Sequence, residues 1–269
     1  MLKASVIISF YNRIDYLKLV LAGLERQTLR DFEIIIADDG SNEKTVDEVE
    51  RLSKQIPYPL IHVWHEDKGF RKNKILNTAI ASSNSTYLIF IDGDCVPHKE
   101  FVKEHINYSS IRKCLTGRRV NLSRKITNTL TIEKIKHGYL ENNLHTLVFD
   151  GLFGKSDSVE RGFYFKNKFV RELLNRKKRG LLGCNFSLHK KDMLAINGFD
   201  ERYELPSIGE DSDVQYRLEL LNVEIVSLGN IAVQYHLYHK LQERPQKNLD
   251  LFTEIKKNQL FFTPFGIEK

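Results

Sequence analysis

Several groups of acidic and imidazole side chains have the types and spacing of a site that handles charge. Asp92-Gly93-Asp94 closes the apolar run Tyr87-Leu-Ile-Phe-Ile91. Two carboxylates two residues apart on a strand-end turn can reach one divalent cation and the diphosphate it bridges, and the glycine lets the backbone turn tightly. Turn chemistry alone, with Asp capping its own backbone, is the plain alternative. Asp38 and Asp39 end a second apolar run, Phe32–Ala37. One of them, Asp39 above all, would accept a hydrogen bond from a nucleobase N–H or a ribose hydroxyl; an Asx turn opening the next helix is the alternative. Asp67-Lys68-Gly69-Phe70-Arg71 sets a glycine beside cations at a helix N-terminus, an arrangement suited to phosphate. Gly209-Glu210-Asp211-Ser212-Asp213 starts another helix with three carboxylates. They fit a general base with acceptor-hydroxyl contacts, or simply the affinity of acidic residues for the positive end of a helix. His236 and His239 follow a late strand and suit a metal ligand or a diphosphate contact, or else an ordinary buried histidine.

The elements that would hold these residues alternate from the start. Ser5–Phe10, Phe32–Ala37, Leu60–Trp64 and Tyr87–Ile91 read as strands. Between them, Ile14, Leu17, Val20, Leu21 and Leu24 fall at helical spacing, a polar helix is expected from about Thr45 to Gln55, and another over Arg71–Ala81. The strands are near-continuous apolar runs, which is how a sheet covered on both faces reads. Strand–helix repetition predicts an α/β fold with right-handed crossovers and a mainly parallel sheet, whose ligands bind beyond the carboxyl ends of the strands. Asn12, Asp39, the loop from Glu66 to Arg71, Asp92 and Asp94 all fall there. Asn121–Arg179 gives no clean periodicity, Leu182–His189 reads as a strand, and Asp211–Leu221 as a helix. Glu224–Leu228 and Ile231–Tyr235 read as short strands.

The 269 residues are 41% apolar and 28% charged, which excludes disorder for most of the chain. The apolar runs are strand-sized and too short to span a bilayer. The sequence opens directly on a strand pattern, so no signal peptide is expected, and three cysteines without metal spacing suggest a reducing compartment and no disulfide framework. Lys and Arg total 41 against 35 Asp and Glu, for a net charge of +6. The excess concentrates in Arg171–Arg179, near Phe163, Tyr164, Phe165 and Phe169. That run is either a solvated face or a surface that attracts phosphate, and with its aromatics it would suit a membrane surface or an acceptor pocket.

Taken in order, these stretches resemble a family-2 glycosyltransferase of the GT-A fold. Val6-Ile-Ile-Ser-Phe-Tyr-Asn-Arg13 resembles the opening strand and nucleotide loop, Ile35-Ile-Ala-Asp-Asp-Gly-Ser41 the uracil-binding segment, and Ile91-Asp-Gly-Asp-Cys95 the metal motif. Gly183-Cys-Asn-Phe-Ser187, Gly198-Phe-Asp-Glu201 and Gly209-Glu-Asp211 are similar to a galactosyltransferase-type C-terminal segment. Leu76 departs from the arginine that precedes the asparagine in many relatives. The resemblance implies a Rossmann-like, mainly parallel sheet with helices on both faces and an irregular acceptor-side region. It implies a nucleotide-sugar half over 1–118, an acceptor and catalytic half over 119–240 and a tail over 241–269. The donor, a UDP-sugar, would contact Phe10, Tyr11, Asn12, Arg13, Asp39, Asp67, Arg71, Asn77, Asp92 and Gly93. Mn²⁺ or Mg²⁺ would sit on Asp94, Asp92 and His236 or His239. Asp211 would be the base of an inverting transfer, with Glu210, Asp213 and Asn185 on the acceptor. The acceptor would be a glycan or lipid-linked glycan of bacterial-type surface polysaccharide synthesis, in the cytoplasm or peripherally at the inner face of the membrane.

Three rival classes fit less well. A nicotinamide-dependent dehydrogenase needs a glycine-rich first loop, and Tyr11-Asn-Arg-Ile-Asp15 has no glycine. A haloacid-dehalogenase-like phosphatase could use Asp92 and Asp94, but its motif opens the fold, whereas three strand–helix units precede this one. A nucleic-acid-binding module would not gather carboxylates at strand ends, so no nucleic-acid partner is expected.

Overall fold

The computed structural model describes residues 2–175, 179–206, 209–240 and 245–268. Arg176, Lys177 and Lys178, the centre of the basic run, lie outside the described residues, as do the first residues of the 241–269 tail. Four strands, β1 (Ala4–Phe10), β2 (Phe32–Asp38), β3 (Leu60–Trp64) and β4 (Tyr87–Asp92), alternate with α1 (Ile14–Glu25), α2 (Glu43–Ser53) and α3 (Lys72–Ser82). Side chains alternate across each strand, so the two faces feed two cores. Val6, Ile8, Phe10, Ile34, Ile36, Ile89 and Ile91 pack with Leu17, Val20, Leu21 and Leu24 of α1. Ile7, Ile35, Ala37, Leu88 and Phe90 pack with Ile75, Leu76, Ala79 and Ile80 of α3. That is why these strands read as unbroken apolar runs. The polar helix starts slightly earlier than its pattern suggests, because Asn42 caps it by accepting the Thr45 N–H at 3.1 Å.

The chain continues through β5 (Cys95–Pro97), α4 (Phe101–Asn107), β6 (Lys113–Thr116) and β7 (Arg118–Asn121). The stretch without periodicity is helical in short pieces: α5 (Arg124–Thr129), α6 (Ile132–Lys136), α7 (Tyr139–Asn142), α8 (Leu144–Leu152), a 3₁₀ turn over Val159–Gly162, and α9 (Lys168–Leu174). Helices this short complete too few turns to imprint a 3.6-residue period. Then come β8 (Asn185–His189), α10 (Lys190–Ala195), α11 (Glu210–Leu220), β9 (Glu224–Ser227), β10 (Val233–His236) and α12 (Gln246–Asn258). β8 starts later than the apolar pattern predicts. The N–H groups of Leu181, Leu182 and Gly183 go to the side chains of Gln215, Thr116 and Asp211 instead of a ladder.

The main sheet runs β3-β2-β1-β4-β8-β6-β9, and β5-β10-β7 form a small second sheet. β1 to β4 are parallel, while β8 is antiparallel to both of its neighbours. The winding reverses between β1 and β4, so their carboxyl ends open a crevice of the kind that receives ligands. Register aligns those ends: Phe10 lies opposite Asp38, Asp38 opposite Trp64, and Ser9 opposite Asp92.

Candidate active site

Asp94 lies just past β4, and β5 folds back so that Cys95 pairs with His236 at the end of β10. The Leu237 N–H donates to Asp94 O at 2.8 Å, fixing the two segments together. His239 is held by the loop around it, where Tyr238 O accepts from Tyr16 Oη and the Tyr238 N–H donates to Thr127 Oγ1. Three donor atoms therefore converge. Asp94 Oδ2 is 3.5 Å from His236 Nε2 and 3.3 Å from His239 Nε2, and the two imidazole nitrogens are 3.1 Å apart. Donors bonded to one dication at about 2.1 Å lie about 3.0–3.4 Å apart, so the group fits a metal. Burial would raise the Asp94 carboxyl, but both imidazoles hold it far below the usual carboxylate range, and Asp94 in turn pushes His239 up. Sequence reasoning left open which histidine would reach the metal; both lie within 3.5 Å of Asp94.

Asp92 sits differently. Its Oδ1 accepts from Ser9 Oγ at 2.5 Å and from Lys72 Nζ at 3.1 Å. Burial alone would lower the Lys72 ammonium, but the charges of Asp92 and Glu210 push it well above its ordinary value. Lys72 thus bonds the end of β4 and lies within the field of Glu210 at the start of α11. Glu210 Oε2 is buried without a hydrogen-bond partner among the described residues, and burial raises its carboxyl while Lys72 restrains the rise. Asp211 is partly open, with Oδ1 accepting the Ser212 N–H and Oδ2 the Gly183 N–H. Gly209 makes this helix start possible: its φ is 111°, and a Cβ there would lie 2.6 Å from the Tyr203 ring.

The loops after β1, β2 and β3 meet at the other end of the crevice. Asp39 is buried and accepts the Arg71 N–H at 2.9 Å and a hydrogen bond from His65 Nε2 at 2.7 Å. Burial raises its carboxyl against the pull of both partners. Asp38 is fully buried and holds the turn through the Ser41 N–H and His62 Nε2. Exposed Tyr11 donates its phenol to Asp67 at 2.9 Å, closing one loop over another. Asn12 accepts from Asn42, Arg13 stacks on Tyr16, and the Arg71 guanidinium reaches Glu66 O. Phe10 is core, and a Cβ added to Gly93 would stand 3.0 Å from Ser9 O.

Three residues assigned to substrate by resemblance are instead engaged inside the protein. Asn185 is fully buried, its amide donating to Arg118 O and Ala232 O and its carbonyl facing His105. Asp213 is fully buried in an ion pair with Arg217 at 2.6 Å. Asn77 binds the backbone of Phe199 in both directions. Other residues were missed. Lys72 is one; Arg119 is another, donating to Cys184 Sγ at 3.2 Å. Cys184 lies close to Cys95 beneath Asp92, and all three cysteines are free and buried. Leu76 is buried against the sheet, so a cation reaches the crevice from Lys72, one helical turn earlier.

Residues 5–171, more than half of the chain, match the profile described as glycosyl transferase family 2. The chain belongs to that family. Residues 172–240 match a second profile, described as the N-terminal domain of galactosyltransferase. This family-2 glycosyltransferase is 27% identical to the chondroitin synthase of Escherichia coli, over 94% of this chain and 37% of that protein. It is 21% identical to the glycosyltransferase GlyA of Streptococcus pneumoniae, over 87% of this chain and 30% of that protein. The chain thus spans well under half the length of these relatives. Among solved structures it resembles S. aureus TarS 1–349 in complex with UDP-GlcNAc, with TM-score 0.57 and 19% identity over 96% of this chain and 65% of that one. It also resembles the mannosyltransferase PcManGT of Pyrobaculum calidifontis in complex with GDP-Man and Mn²⁺, with TM-score 0.58 and 15% identity over 88% of this chain and 57% of that one. These likenesses agree with the GT-A fold. The phosphatase alternative falls with the family assignment. Among the described residues no helix is long and apolar enough to cross a membrane.

Proposed function

We propose that this chain is an inverting glycosyltransferase that moves a sugar from a UDP-sugar to a hydroxyl of a glycan or lipid-linked glycan acceptor, in surface polysaccharide synthesis. The convergence of Asp94, His236 and His239 at the carboxyl edge of the sheet carries the reading. Two imidazoles favour Mn²⁺ over Mg²⁺, which prefers oxygen donors. A bound dication there supplies positive charge against the leaving diphosphate. The protein's own groups do the rest. Asp39 accepts from the base of the nucleotide, with Tyr11 and Asp67 closing the loops around it. Asp92, held by Ser9 and Lys72, and the unpartnered Glu210 Oε2 offer acceptors for sugar hydroxyls. Asp211 takes the proton from the attacking hydroxyl, a step worth about 10²–10⁴-fold when positioned. Transfer from UDP-sugars in Mn²⁺ is the test. Asp94→Ala or EDTA should abolish it and weaken UDP binding; full activity in either would refute the metal assignment.

A further inference from the structure

The run Gly180–Gly183 is strung between two charged groups. Gly180 O accepts from Arg118 Nη2 at 2.8 Å, and three residues on the Gly183 N–H donates to Asp211 Oδ2 at 3.2 Å. Leu181 and Leu182 fasten the middle through Gln215 and Thr116. A guanidinium and the base carboxylate thus flank a stretch that spans at most about 10 Å. Arg118 is 8% exposed, and its Nη1 donates only to Gly117 O and Thr116 Oγ1. Two more cations stand near it: exposed Arg179, next to Gly180, and Arg161, 7% exposed on the 3₁₀ turn that packs on β7, where its Nη1 donates to Asn175 Oδ1 at 2.7 Å. Burial and the charges of Arg179 and Arg161 together lower the Arg118 guanidinium to about 10, against the pull of Cys184 and Asp211. Arg161 meets Glu160 at 3.2 Å, but among the described residues no carboxylate lies within ion-pair reach of Arg118 or Arg179. Arg118 is thus a buried cation with no carboxylate beside it, a costly arrangement unless a bound anion completes it.

The donor diphosphate is not the natural anion for this cluster. Successive side chains on a strand point to opposite faces. Arg119 takes the other face of β7, where it reaches Cys184 and is pushed above its ordinary value by Cys184, Cys95 and Asp92 despite burial. Arg119 therefore faces the Asp92 end of the crevice, while Arg118 faces Gly180 and the acceptor end.

We propose that Arg118, Arg161 and Arg179 form an anion subsite beside Asp211, so that the acceptor carries a carboxylate or a phosphate near the hydroxyl that is glycosylated. The identification of the anion as an acceptor group rests on the role proposed for Asp211. Isothermal titration with UDP and Mn²⁺ saturating tests it, using three probes: a hexamer of uronic acid, a hexamer of glycerol phosphate and a neutral glucose hexamer. At least one polyanion should bind tenfold or more tightly than the neutral hexamer, and which one does so distinguishes carboxylate from phosphate. Arg179→Gln, at an exposed position, and Arg118→Gln should each reduce that preference severalfold and together remove it. Arg118→Lys should keep part of it, and Lys3→Gln, at the opposite end of β1, should keep all of it. Equal binding of the three probes, or a preference that survives Arg118→Gln with Arg179→Gln, overturns the subsite. Failure of UDP and Mn²⁺ to bind while the Arg118-dependent preference persists would instead remove the UDP-sugar and metal reading and leave the subsite standing.

Discussion

Lys72 shows how one side chain can organise a site without being the obvious chemical actor. Its ammonium contacts Asp92 Oδ1 at 3.1 Å and carries the positive charge felt by Glu210. Removing it leaves the charges of Asp92 and Glu210, the proposed acceptors for sugar hydroxyls, without that cation. Lys72→Met should therefore lower turnover by about 10²-fold, the scale of one lost electrostatic contact, while UDP affinity in Mn²⁺ stays within about twofold. Lys72→Arg should recover much of the loss. Steady-state kinetics beside UDP titration decides it: a collapse of UDP affinity would mean that Lys72 merely props the fold. Nothing in the sequence marks this lysine, because a second cation after Arg71 at a helix start looks like ordinary solvation. Asp94 and the two histidines were legible as candidates, since each lies at or just past a strand end. Asn185 and Asp213 were not, because residue type does not reveal burial. An amide that satisfies Arg118 O and Ala232 O has the same letter as one that binds substrate.

At the scale of elements, α11 sets the proposed base and a purely structural carboxylate two residues apart. Asp211 is partly open at its first turn, whereas Asp213 is locked to Arg217, both fully buried. Breaking a buried pair by removing one partner costs about 3–5 kcal/mol. Asp213→Ala should therefore shift the denaturation midpoint strongly, while Asp211→Asn keeps the midpoint and UDP binding and loses about 10²–10⁴-fold in turnover. Midpoints and rates measured on both variants would expose the wrong choice of base if the pattern reverses. On α4, His105 sits fully buried between Ser187 and Asn185 of β8. Burial lowers it to about 3, although Asn185 pulls the other way. In the unfolded chain it takes up a proton near 6.5. Between those values the unfolded state binds more protons, so stability falls as pH drops through the window, by at most about 1.4 kcal/mol per pH unit. His105→Gln lacks this term. Urea midpoints of the two proteins should converge from pH 6.5 towards pH 4, and parallel curves would refute the assignment. The first four strands were legible because both of their faces are apolar; the brace from α4 to β8 was not, because it joins residues some 80 positions apart through single polar atoms.

At the scale of the whole molecule, the site exists only because separate parts of the chain close on one crevice. The proposed nucleotide loops come from β1, β2 and β3, the carboxylate Asp94 from the end of β4, its histidines from the far end of β10, and the proposed base Asp211 from α11. The alternation of strands and helices announced the first contribution. The second sheet, which delivers His236 by pairing it with Cys95, left only short strand-like runs in a region of irregular pattern. Such a site couples its ligands. Mn²⁺ alone would meet three protein donors, and UDP alone would meet the loops around Asp39 with its diphosphate charge uncompensated. Each should therefore bind more tightly in the presence of the other, by the same factor in both directions. A ligand that binds only the native state at a hundredfold excess over its dissociation constant stabilises by about 2.7 kcal/mol, which for a domain of this size raises the melting temperature by roughly 5–10 °C. UDP with Mn²⁺ should reach that range in a thermal melt and exceed the sum of the two separate shifts. In Asp94→Ala the excess should vanish, leaving UDP with the small shift it gives alone, because the nucleotide loops remain and the metal triad does not. Additive shifts in the unmodified protein would mean that the cation and the nucleotide occupy unconnected sites, and the triad would then need another role.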